Sequence, residues 1–232
     1  MIACSNHAGP ARNFLKEDES MSKTYFISDL HFNHKNILKY EPSRVEATAK
    51  YIIEHVSNEK SVDDWINIIN KAFEDNDLET IKSFLKYHDD MIVYKWNKKV
   101  KKSDTVWFLG DLGMGNKEYL KELVGKLNGD KRMIMGNHDN LPKSFYEDAG
   151  FTVEAIRKRQ LIVKGFFVLS HYPSPWMNPI SSPFFFIYGH VHSMPQYITK
   201  TENSRCVCIE RQNFEPIEIE EFNNYEYDEE AQ

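Results

Sequence analysis

Five short apolar segments of this chain each end in a small cluster of polar residues. The segments are rich in β-branched and aromatic residues, which is typical of buried strands. The polar clusters are Asp29-Leu30-His31, Gly110-Asp111, Gly136-Asn137-His138-Asp139, Ser170-His171 and Gly189-His190-Val191-His192. In open α/β sheets, ligands bind where strands give way to loops, so the five clusters can converge on one crevice.

Outside one helical region, predicted strands and helices alternate, and this indicates an α/β fold. Strands are predicted at Thr24–Ser28, Thr105–Leu109, Lys131–Met135, Leu161–Val163, Phe166–Leu169, Phe184–Tyr188, Cys206–Ile209 and Ile217–Ile219, and a helix at Lys117–Leu127. Lys164 and Gly165 supply a tight turn between two of these strands, which predicts a hairpin.

The length and composition of the chain indicate one folded unit. Its 232 residues are 41% apolar, which is enough to bury one substantial core. We expect a flexible N-terminal extension over residues 1–20, because that stretch shows no sustained hydrophobic period and leads to a second methionine. The folded domain is predicted over residues 21–220, with a helix-rich insertion at about 44–94. Residues 221–232 are predicted to be an acidic, disordered tail.

The insertion, which lies between the first two polar clusters, has a helical pattern. Ser61 and Asp64 form a capping box before an amphipathic run, and Asp77 marks a second helix start. His55 and His88 lie in these amphipathic segments, and we expect both to be ordinary surface or core-edge histidines. We expect the insertion to pack on the sheet, with a lid or a partner surface as the alternative.

The distribution of charge argues against a nucleic-acid groove. The formal net charge is −6, but residues 217–232 carry seven acids and no Lys or Arg, so the rest of the chain is near +1. A protein that binds long nucleic acids needs a basic face, whereas the four lysines within residues 98–102 are typical of a solvated helix end. The sequence therefore carries no strong nucleic-acid signature.

The cysteines and the hydropathy pattern indicate a cytoplasmic protein. Cys4, Cys206 and Cys208 form an odd count without a CxxC pair, so we expect no disulfide framework and a reducing compartment. No apolar stretch reaches the length of a membrane span, and the N-terminus lacks a basic segment followed by an apolar one. We expect no membrane association, and the sequence does not indicate an oligomeric state.

The polar clusters have the spacing and the chemistry of metal ligands. Residues two apart in an extended segment point to the same side, so Asp29 with His31, and His190 with His192, can each present two ligands together. Carboxylate, imidazole and amide oxygen form a set suited to Mn, Fe, Zn or Co. Taken singly, each cluster also fits a helix cap, a turn or a hydrogen-bonded loop. Their occurrence together and in order favours a metal site.

The blocks DLH, GDLG, GNHD, the histidine of SHYP and GHVH resemble the five motifs of the calcineurin-like metallophosphoesterases. The resemblance covers roughly Thr24 to Pro216, and stretches such as SDLHFNHKNI look like a small bacterial and phage-type branch. It implies an α/β fold of metallophosphoesterase type, which is a sandwich of two mixed β-sheets flanked by helices. The helical insertion would lie between the first two motifs.

Carried over to these positions, the resemblance implies a site for two divalent metal ions. One ion would be held by Asp29, His31, Asp111 and His192, and the other by Asp111, Asn137, His171 and His190. A hydroxide that bridges the metals would attack phosphorus, and His138 would assist the leaving group. Asp139 would orient the His138 imidazole and favour its charged form. We expect Mn²⁺, with Fe, Zn, Co or Ni as alternatives.

The resemblance also narrows the substrate. Phosphoprotein phosphatases of this family usually show Asp-Arg-Gly after the second motif and GNHE as the third, where this chain reads GDLG and GNHD. Nuclease branches usually append a DNA-binding domain and basic surfaces. We therefore expect a small phosphoester substrate, such as the phosphodiester of a nucleotide-like molecule, with a phosphomonoesterase (phosphatase) or a nuclease as the alternative. An alternative of another class is a noncatalytic protein-binding scaffold with the same fold.

The loop beyond the first motif offers two candidate substrate contacts. Asn33 and His34 follow His31 closely, in the segment that leaves the predicted metal site. Loops near a site often carry binding residues, but a solvent-exposed loop without a function is the alternative.

Overall fold

Ten strands form two five-stranded sheets in the part of the chain that the computed structural model describes, which is residues 22–156, 159–175 and 182–222. The strands are β1 Thr24–Ile27, β2 Thr105–Phe108, β3 Asp130–Ile134, β4 Phe151–Ala155, β5 Leu161–Val163, β6 Phe167–Ser170, β7 Phe185–Tyr188, β8 Lys200–Thr201, β9 Ser204–Cys206 and β10 Ile217–Glu218. The first sheet has the order β10-β1-β2-β3-β4, and the second has the order β5-β6-β7-β9-β8.

The described residues form six α-helices between the strands, and three of them belong to the predicted insertion. They are α1 Ile37–Tyr40, α2 Pro42–His55, α3 Val62–Glu74, α4 Leu78–Lys99, α5 Lys117–Lys126 and α6 Lys143–Ala149, with 3-10 helices at Ile209–Gln212 and Ile219–Phe222. The capping box of Ser61 and Asp64 starts α3, as the sequence predicts, and the Asp77 side chain caps α4. Both helix starts are therefore encoded locally.

Parallel pairing brings several strand ends to one edge of the molecule. In the first sheet β1 to β4 are parallel and β10 is antiparallel to β1. In the second sheet β6, β7 and β9 are parallel, and β5 and β8 are antiparallel to their neighbours. Ser28 pairs with Cys208 just beyond β1 and β9, so the two sheets meet where these strands end. The loops that carry the polar clusters start from this edge.

Two cores cover the faces of the first sheet. Phe26, Trp107 and Ile134 pack against Phe167 and Ile187 in the layer between the sheets. Because both faces are covered, these strands read as continuous apolar runs rather than as alternating patterns.

The other face of the first sheet packs against helices. Met91, Ile92 and Trp96 of α4 lie in that core, so α4 packs directly on the sheet. The rest of the insertion has a small core of its own, to which Ile52 of α2 and Ile69 of α3 contribute. The insertion is thus built onto the sheet through α4.

The predicted sandwich of two mixed sheets flanked by helices is confirmed, and one predicted strand is wrong in part. Instead of a strand over Cys206–Ile209, β9 ends at Cys206 and a 3-10 helix begins at Ile209. Val207 N donates to Tyr188 O at 2.7 Å, and Arg211 N then donates to Cys208 O at 2.9 Å, which turns the chain out of the sheet.

Three other predictions concern the chain ends and membranes. The predicted extension over 1–20 lies outside the described residues, as do residues 223–232 of the predicted tail. The first two residues of that tail, Glu221 and Phe222, instead end the 3-10 helix Ile219–Phe222, where Phe222 is buried. Among the described helices, none combines the length and the apolar character that crossing a bilayer requires.

Candidate metal centre

The segment after β1 presents the first motif in a constrained backbone conformation. Asp29, His31 and Asn33 have φ values of 61°, 50° and 54°, in the left-handed region that non-glycine residues seldom adopt. The neighbouring loop after β2 holds this segment, because Asp29 N donates to Gly110 O at 2.9 Å and His31 N donates to Asp111 O at 3.0 Å. The side chains of Asp29 and His31 are both buried.

Asp29, His31 and His192 form the first ligand group. One potential ligand atom from each lies within 4.8 Å of the others. Asp29 Oδ1 is 3.9 Å from His31 Nε2 and 3.6 Å from His192 Nε2. The sequence prediction that these three side chains meet is therefore matched by their positions.

Asp111, His171 and His190 form the second ligand group, again with ligand atoms within 4.8 Å of one another. Asn137 extends it, because its Oδ1 lies 2.9 Å from His171 Nε2. His190 N also donates to Asp29 Oδ2 at 2.9 Å, which ties the two groups together.

The pairing of His190 with His192 differs from the extended geometry that their spacing predicts. Their φ values are 74° and 45°, so this stretch is left-handed rather than extended at both histidines. As a result the two side chains separate, and His192 joins the first ligand group while His190 joins the second.

Asp111 lies between the two groups. Its Oδ2 is 3.6 Å from His31 Nε2 and 3.5 Å from His171 Nε2. Burial, together with the nearby Asp29 carboxylate, raises the pKa of Asp111 to about 7. A buried carboxylate placed between two groups of nitrogen and oxygen ligands has the position of a bridging ligand.

The atoms in this centre fit divalent cations. His171 Nδ1 faces the carbonyl of Leu109 at 2.8 Å, and because a carbonyl only accepts, the ring proton lies on Nδ1. Nε2 then presents a lone pair to the Asn137 oxygen, which is also an acceptor. Asp29 Oδ1 and His31 Nε2 are buried without a hydrogen-bond partner within the described part of the chain. Acceptors that face one another in this way suit a shared metal ion.

Glycines let the loops approach closely at two points. A Cβ on Gly136 would lie 2.2 Å from Asp111 Oδ1, and a Cβ on Gly110, which has φ of 95°, would lie 2.4 Å from Gly136 N. Both distances are shorter than any real contact, so only glycine fits. The GD and GNHD motifs therefore need their glycines to bring Asp111 and Asn137 together.

His138 lies beside the first ligand group. Its ring centroid is 5.3 Å from that of His31, and its backbone N donates to Asp111 Oδ1 at 2.8 Å. The resemblance implies a charged imidazole favoured by Asp139, and the structure differs. Burial and the nearby His171 outweigh the Asp139 carboxylate and lower the pKa of His138, so the neutral imidazole is favoured in the metal-free chain.

Asp139 holds the loops of two motifs. Its carboxylate accepts backbone N–H groups from Gly136 at 2.7 Å, Asp111 at 2.8 Å and Leu112 at 3.0 Å. These bonds fix the backbone on either side of the predicted ligands. Its orienting effect on the His138 imidazole stays a prediction.

Asn33 and His34 have different surroundings. The Asn33 side chain donates to Met114 O at 2.9 Å, and its backbone N donates to Asp89 at 3.1 Å. His34 Nδ1 lies 3.2 Å from His31 Nδ1, and its ring centroid is 5.9 Å from that of His138. Burial and His138 lower the pKa of His34 to about 4.

Sequence reasoning missed two residues that contact the centre. Glu210 Oε1 lies 3.0 Å from His192 Nδ1, and Arg44 bonds to Glu210 and to the backbone of the first motif. The sequence does indicate that Arg44 is buried, because it lies four residues before Thr48 and eight before Ile52, on the same face of α2. Glu210 follows the mispredicted strand and has no comparable signal.

The expectation for His88 is also wrong. This histidine is fully buried, and its ring bonds to Arg44 and Asp89 rather than lying at the surface. His55, by contrast, stacks on Tyr51 in an exposed position, as a surface histidine does.

Comparison with known proteins places this centre in a family. The family model described as calcineurin-like phosphoesterase matches residues 22–224. The chain is 29% identical over 208 residues to an uncharacterized protein of Methanocaldococcus jannaschii. This match covers 87% of this chain and 89% of the relative. It is 30% identical over 132 residues to the gene 66 protein of Mycobacterium phage L5, across 56% of this chain and 45% of the phage protein.

A solved structure of a protein of unknown function from Aquifex aeolicus is also similar. It has a TM-score of 0.48 and 22% identity, and the match covers 86% of this chain and 97% of that one. The match to the family model extends over nearly all the described residues and includes all five polar clusters. The chain therefore belongs to the calcineurin-like phosphoesterase family.

Proposed function

We propose that this chain is a binuclear metal-dependent phosphoesterase that hydrolyses a phosphodiester of a nucleotide-like or other small molecule. Family membership supports a metal-dependent phosphoester hydrolase. The observation that carries the proposal is the position of Asp111, whose Oδ2 lies about equally far from a histidine nitrogen of each ligand group, at 3.6 Å and 3.5 Å. One carboxylate oxygen can thus serve both metal positions.

The two ligand groups, with the contacts of Asn137 and Asp111, support an assignment of the metal ligands. Asp29, His31, Asp111 and His192 would hold one ion, and Asp111, Asn137, His171 and His190 would hold the other. Two divalent ions, when bound, supply positive charge to the phosphoryl oxygens and lower the pKa of a water that attacks phosphorus. The mixture of carboxylate, amide and imidazole ligands supports Mn²⁺, with Fe, Zn, Co or Ni as alternatives.

His138 is the group that assists the leaving oxygen. It is half-buried at the edge of the first ligand group, and its backbone is held by Asp111. Its lowered pKa leaves a neutral imidazole, which donates a hydrogen bond to the departing oxygen from one ring nitrogen. A positioned donor aimed at an oxygen that gains negative charge typically contributes about 10² to 10³ in rate.

His34 contributes a second hydrogen-bond donor to the substrate. When His31 directs the lone pair of Nε2 into the first ligand group, its proton lies on Nδ1 and is donated to His34 Nδ1. His34 then carries its own proton on Nε2, and this N–H donates to a phosphoryl oxygen. Asn33 has a supporting role, because its side chain is bonded to the backbone of Met114.

The free thiols of Cys206 and Cys208 support a cytoplasmic location for this activity, because a reducing compartment keeps thiols unpaired. Within the family, a diesterase, a monoesterase, a nuclease and a noncatalytic scaffold share the fold, so an assay must separate them.

The test compares two chromogenic substrates in the presence of Mn²⁺. Protein loaded with Mn²⁺ is expected to hydrolyse bis(p-nitrophenyl) phosphate faster than p-nitrophenyl phosphate. The reverse preference would indicate a monoesterase and contradict the diester proposal. Hydrolysis of neither substrate, with Mn²⁺ bound, would favour the scaffold. A single-stranded oligonucleotide in a parallel assay reports nuclease activity.

A further inference from the structure

Arg44 is a fully buried cation in helix α2, and all five of its N–H donors have acceptors. Nε donates to Glu210 Oε1 at 2.8 Å, and Nη2 donates to the same oxygen at 2.5 Å and to Asp29 O at 2.6 Å. Nη1 donates to Leu30 O at 2.9 Å and to His88 Nε2 at 3.1 Å. A guanidinium has five N–H groups and no acceptor, so this side chain is fully satisfied.

Two of these bonds hold the backbone of the first motif. The carbonyls of Asp29 and Leu30 belong to the segment in which Asp29 and His31 have left-handed φ values. Non-glycine residues keep such conformations only where the surroundings impose them. Arg44 bonds to the carbonyls of the two consecutive peptides that flank the Leu30 Cα, and so restrains the turn that presents both ligands.

Another pair of bonds reaches His192 through Glu210. The Glu210 oxygen that accepts from Arg44 also lies 3.0 Å from His192 Nδ1. A carboxylate accepts, so His192 carries a proton on Nδ1 and turns Nε2 toward Asp29 Oδ1 at 3.6 Å. Through one carboxylate oxygen, Arg44 therefore sets the ring orientation of a ligand that is 148 residues away in sequence.

The last bond of Arg44 extends the restraint to the far end of the same loop. Because Arg44 only donates, His88 Nε2 accepts, and His88 donates from Nδ1 to Asp89 Oδ1 at 3.0 Å. Asp89 in turn accepts from Asn33 N at 3.1 Å. The loop from Asp29 to Asn33 is thus held at both ends by side chains of the helical insertion.

We propose that Arg44 is the positioning residue of the first metal site. It fixes the backbone of the first motif and, through Glu210, the ring of His192 in the relative positions that metal binding requires. The inference rests on the proposed two-metal function. Each hydrogen bond of Arg44 goes to the first motif, to Glu210 or to His88, and none of its five donors reaches the second ligand group. Loss of the guanidinium therefore acts directly on the first metal position, and on the second only through Asp111 and the bond of His190 to Asp29.

The competing explanation is that Arg44 supplies only a positive charge to a buried acidic region. Lysine would serve that purpose, because it keeps the charge on a flexible side chain. Lysine does not reproduce five directed donors in one plane, so Arg44→Lys separates positioning from charge. Lys50→Met is the matched control, since Lys50 lies on the same helix and, among the described residues, pairs only with the exposed Glu46.

The experiment titrates Mn²⁺ into metal-free wild type, Arg44→Lys and Lys50→Met, with free Mn²⁺ followed by electron paramagnetic resonance. Wild type and Lys50→Met are expected to bind two ions per chain. In Arg44→Lys one ion is expected to bind about 10- to 100-fold more weakly, the range typical of lost support for a ligand, with a smaller change in the affinity of the other. Wild-type affinity at both positions in folded Arg44→Lys would overturn the inference.

A second measurement uses only the wild-type chain, in case Arg44→Lys does not fold. With diamagnetic Zn²⁺ bound, ¹⁵N spectra of the imidazoles are expected to show His192 and His88 each with its proton on Nδ1. A proton on Nε2 of either ring would contradict the chain of bonds from Arg44. Failure of the proposed function looks different, because wild type would then bind two ions with the expected tautomers and hydrolyse neither chromogenic ester.

Discussion

Replacement of Asp111 by asparagine separates two effects of the buried charge: it lowers the stability of the metal-free chain, and it contributes to metal binding. Asp111 is 1% exposed and faces His31 Nε2 and His171 Nε2 through Oδ2. In the metal-free chain its carboxylate is held near other acids, and burial together with Asp29 raises its pKa to about 7. Asparagine keeps the shape, carries no charge, and can donate from Nδ2 to an imidazole lone pair. We therefore expect Asp111→Asn to stabilise the metal-free chain.

The size and the pH range of this effect follow from the pKa of Asp111. The group is protonated in both folded and unfolded chains below about pH 4, where it does not affect stability. Between about pH 4 and pH 7 the unfolded chain ionises first, so folding becomes progressively less favourable. Above the folded pKa of about 7 the cost is complete, on the order of 4 kcal/mol. Asp111→Asn removes this cost, and its advantage should vanish near pH 4.

The assay is urea unfolding of metal-free protein between pH 4 and pH 8, followed by circular dichroism. At pH 8 the metal-free variant is expected to have the larger free energy of unfolding. Addition of Mn²⁺ should then stabilise the wild type much more than the variant, because binding to the folded state alone adds free energy in proportion to the logarithm of ligand concentration. A variant that is no more stable than the metal-free wild type at pH 8 would refute this account of Asp111.

Three further substitutions test the leaving-group, loop and core assignments. His138→Ala should lower turnover about 10²- to 10³-fold while elemental analysis still finds two metal ions; loss of metal would refute the division of roles. Gly136→Ala should lose metal in the same analysis, because its Cβ would lie 2.2 Å from Asp111 Oδ1, whereas Gly125→Ala, with open space around its Cβ, should retain it. Trp96→Ala removes a fully buried ring and should cost about 3 to 5 kcal/mol in urea unfolding; a cost below about 1 kcal/mol would contradict its place in the core.

Much of the fold was predictable because its signals are local. The apolar run at Thr24–Ile27 and the capping box of Ser61 and Asp64 need no distant partner to be read. The spacing of Asp29 and His31 likewise places two ligand types in one loop, although that loop is left-handed at both residues rather than extended as the spacing predicts. In each case the information lies within a few neighbouring residues.

The supporting residues were not predictable because their partners are distant in sequence. Arg44 and Glu210 are 166 residues apart, and their pairing appears only when α2 and the 3-10 helix after β9 meet. The prediction for His88 is wrong for the same reason, since amphipathic spacing does not show that a guanidinium donates to its Nε2. The left-handed stretch at His190 also depends on contacts across the two sheets, such as its bond to Asp29.

The most direct test of the central claim is the position of bound manganese. Anomalous diffraction at the manganese edge, from crystals grown with Mn²⁺, shows each ion as a separate peak. Two peaks are expected on either side of Asp111, one against Asp29 and His192 and the other against His171. A single peak would contradict the two-metal centre. So would two peaks of which one lies between Glu41 and Glu210, where a third set of potential ligand atoms meets His192, in place of an expected position beside Asp111.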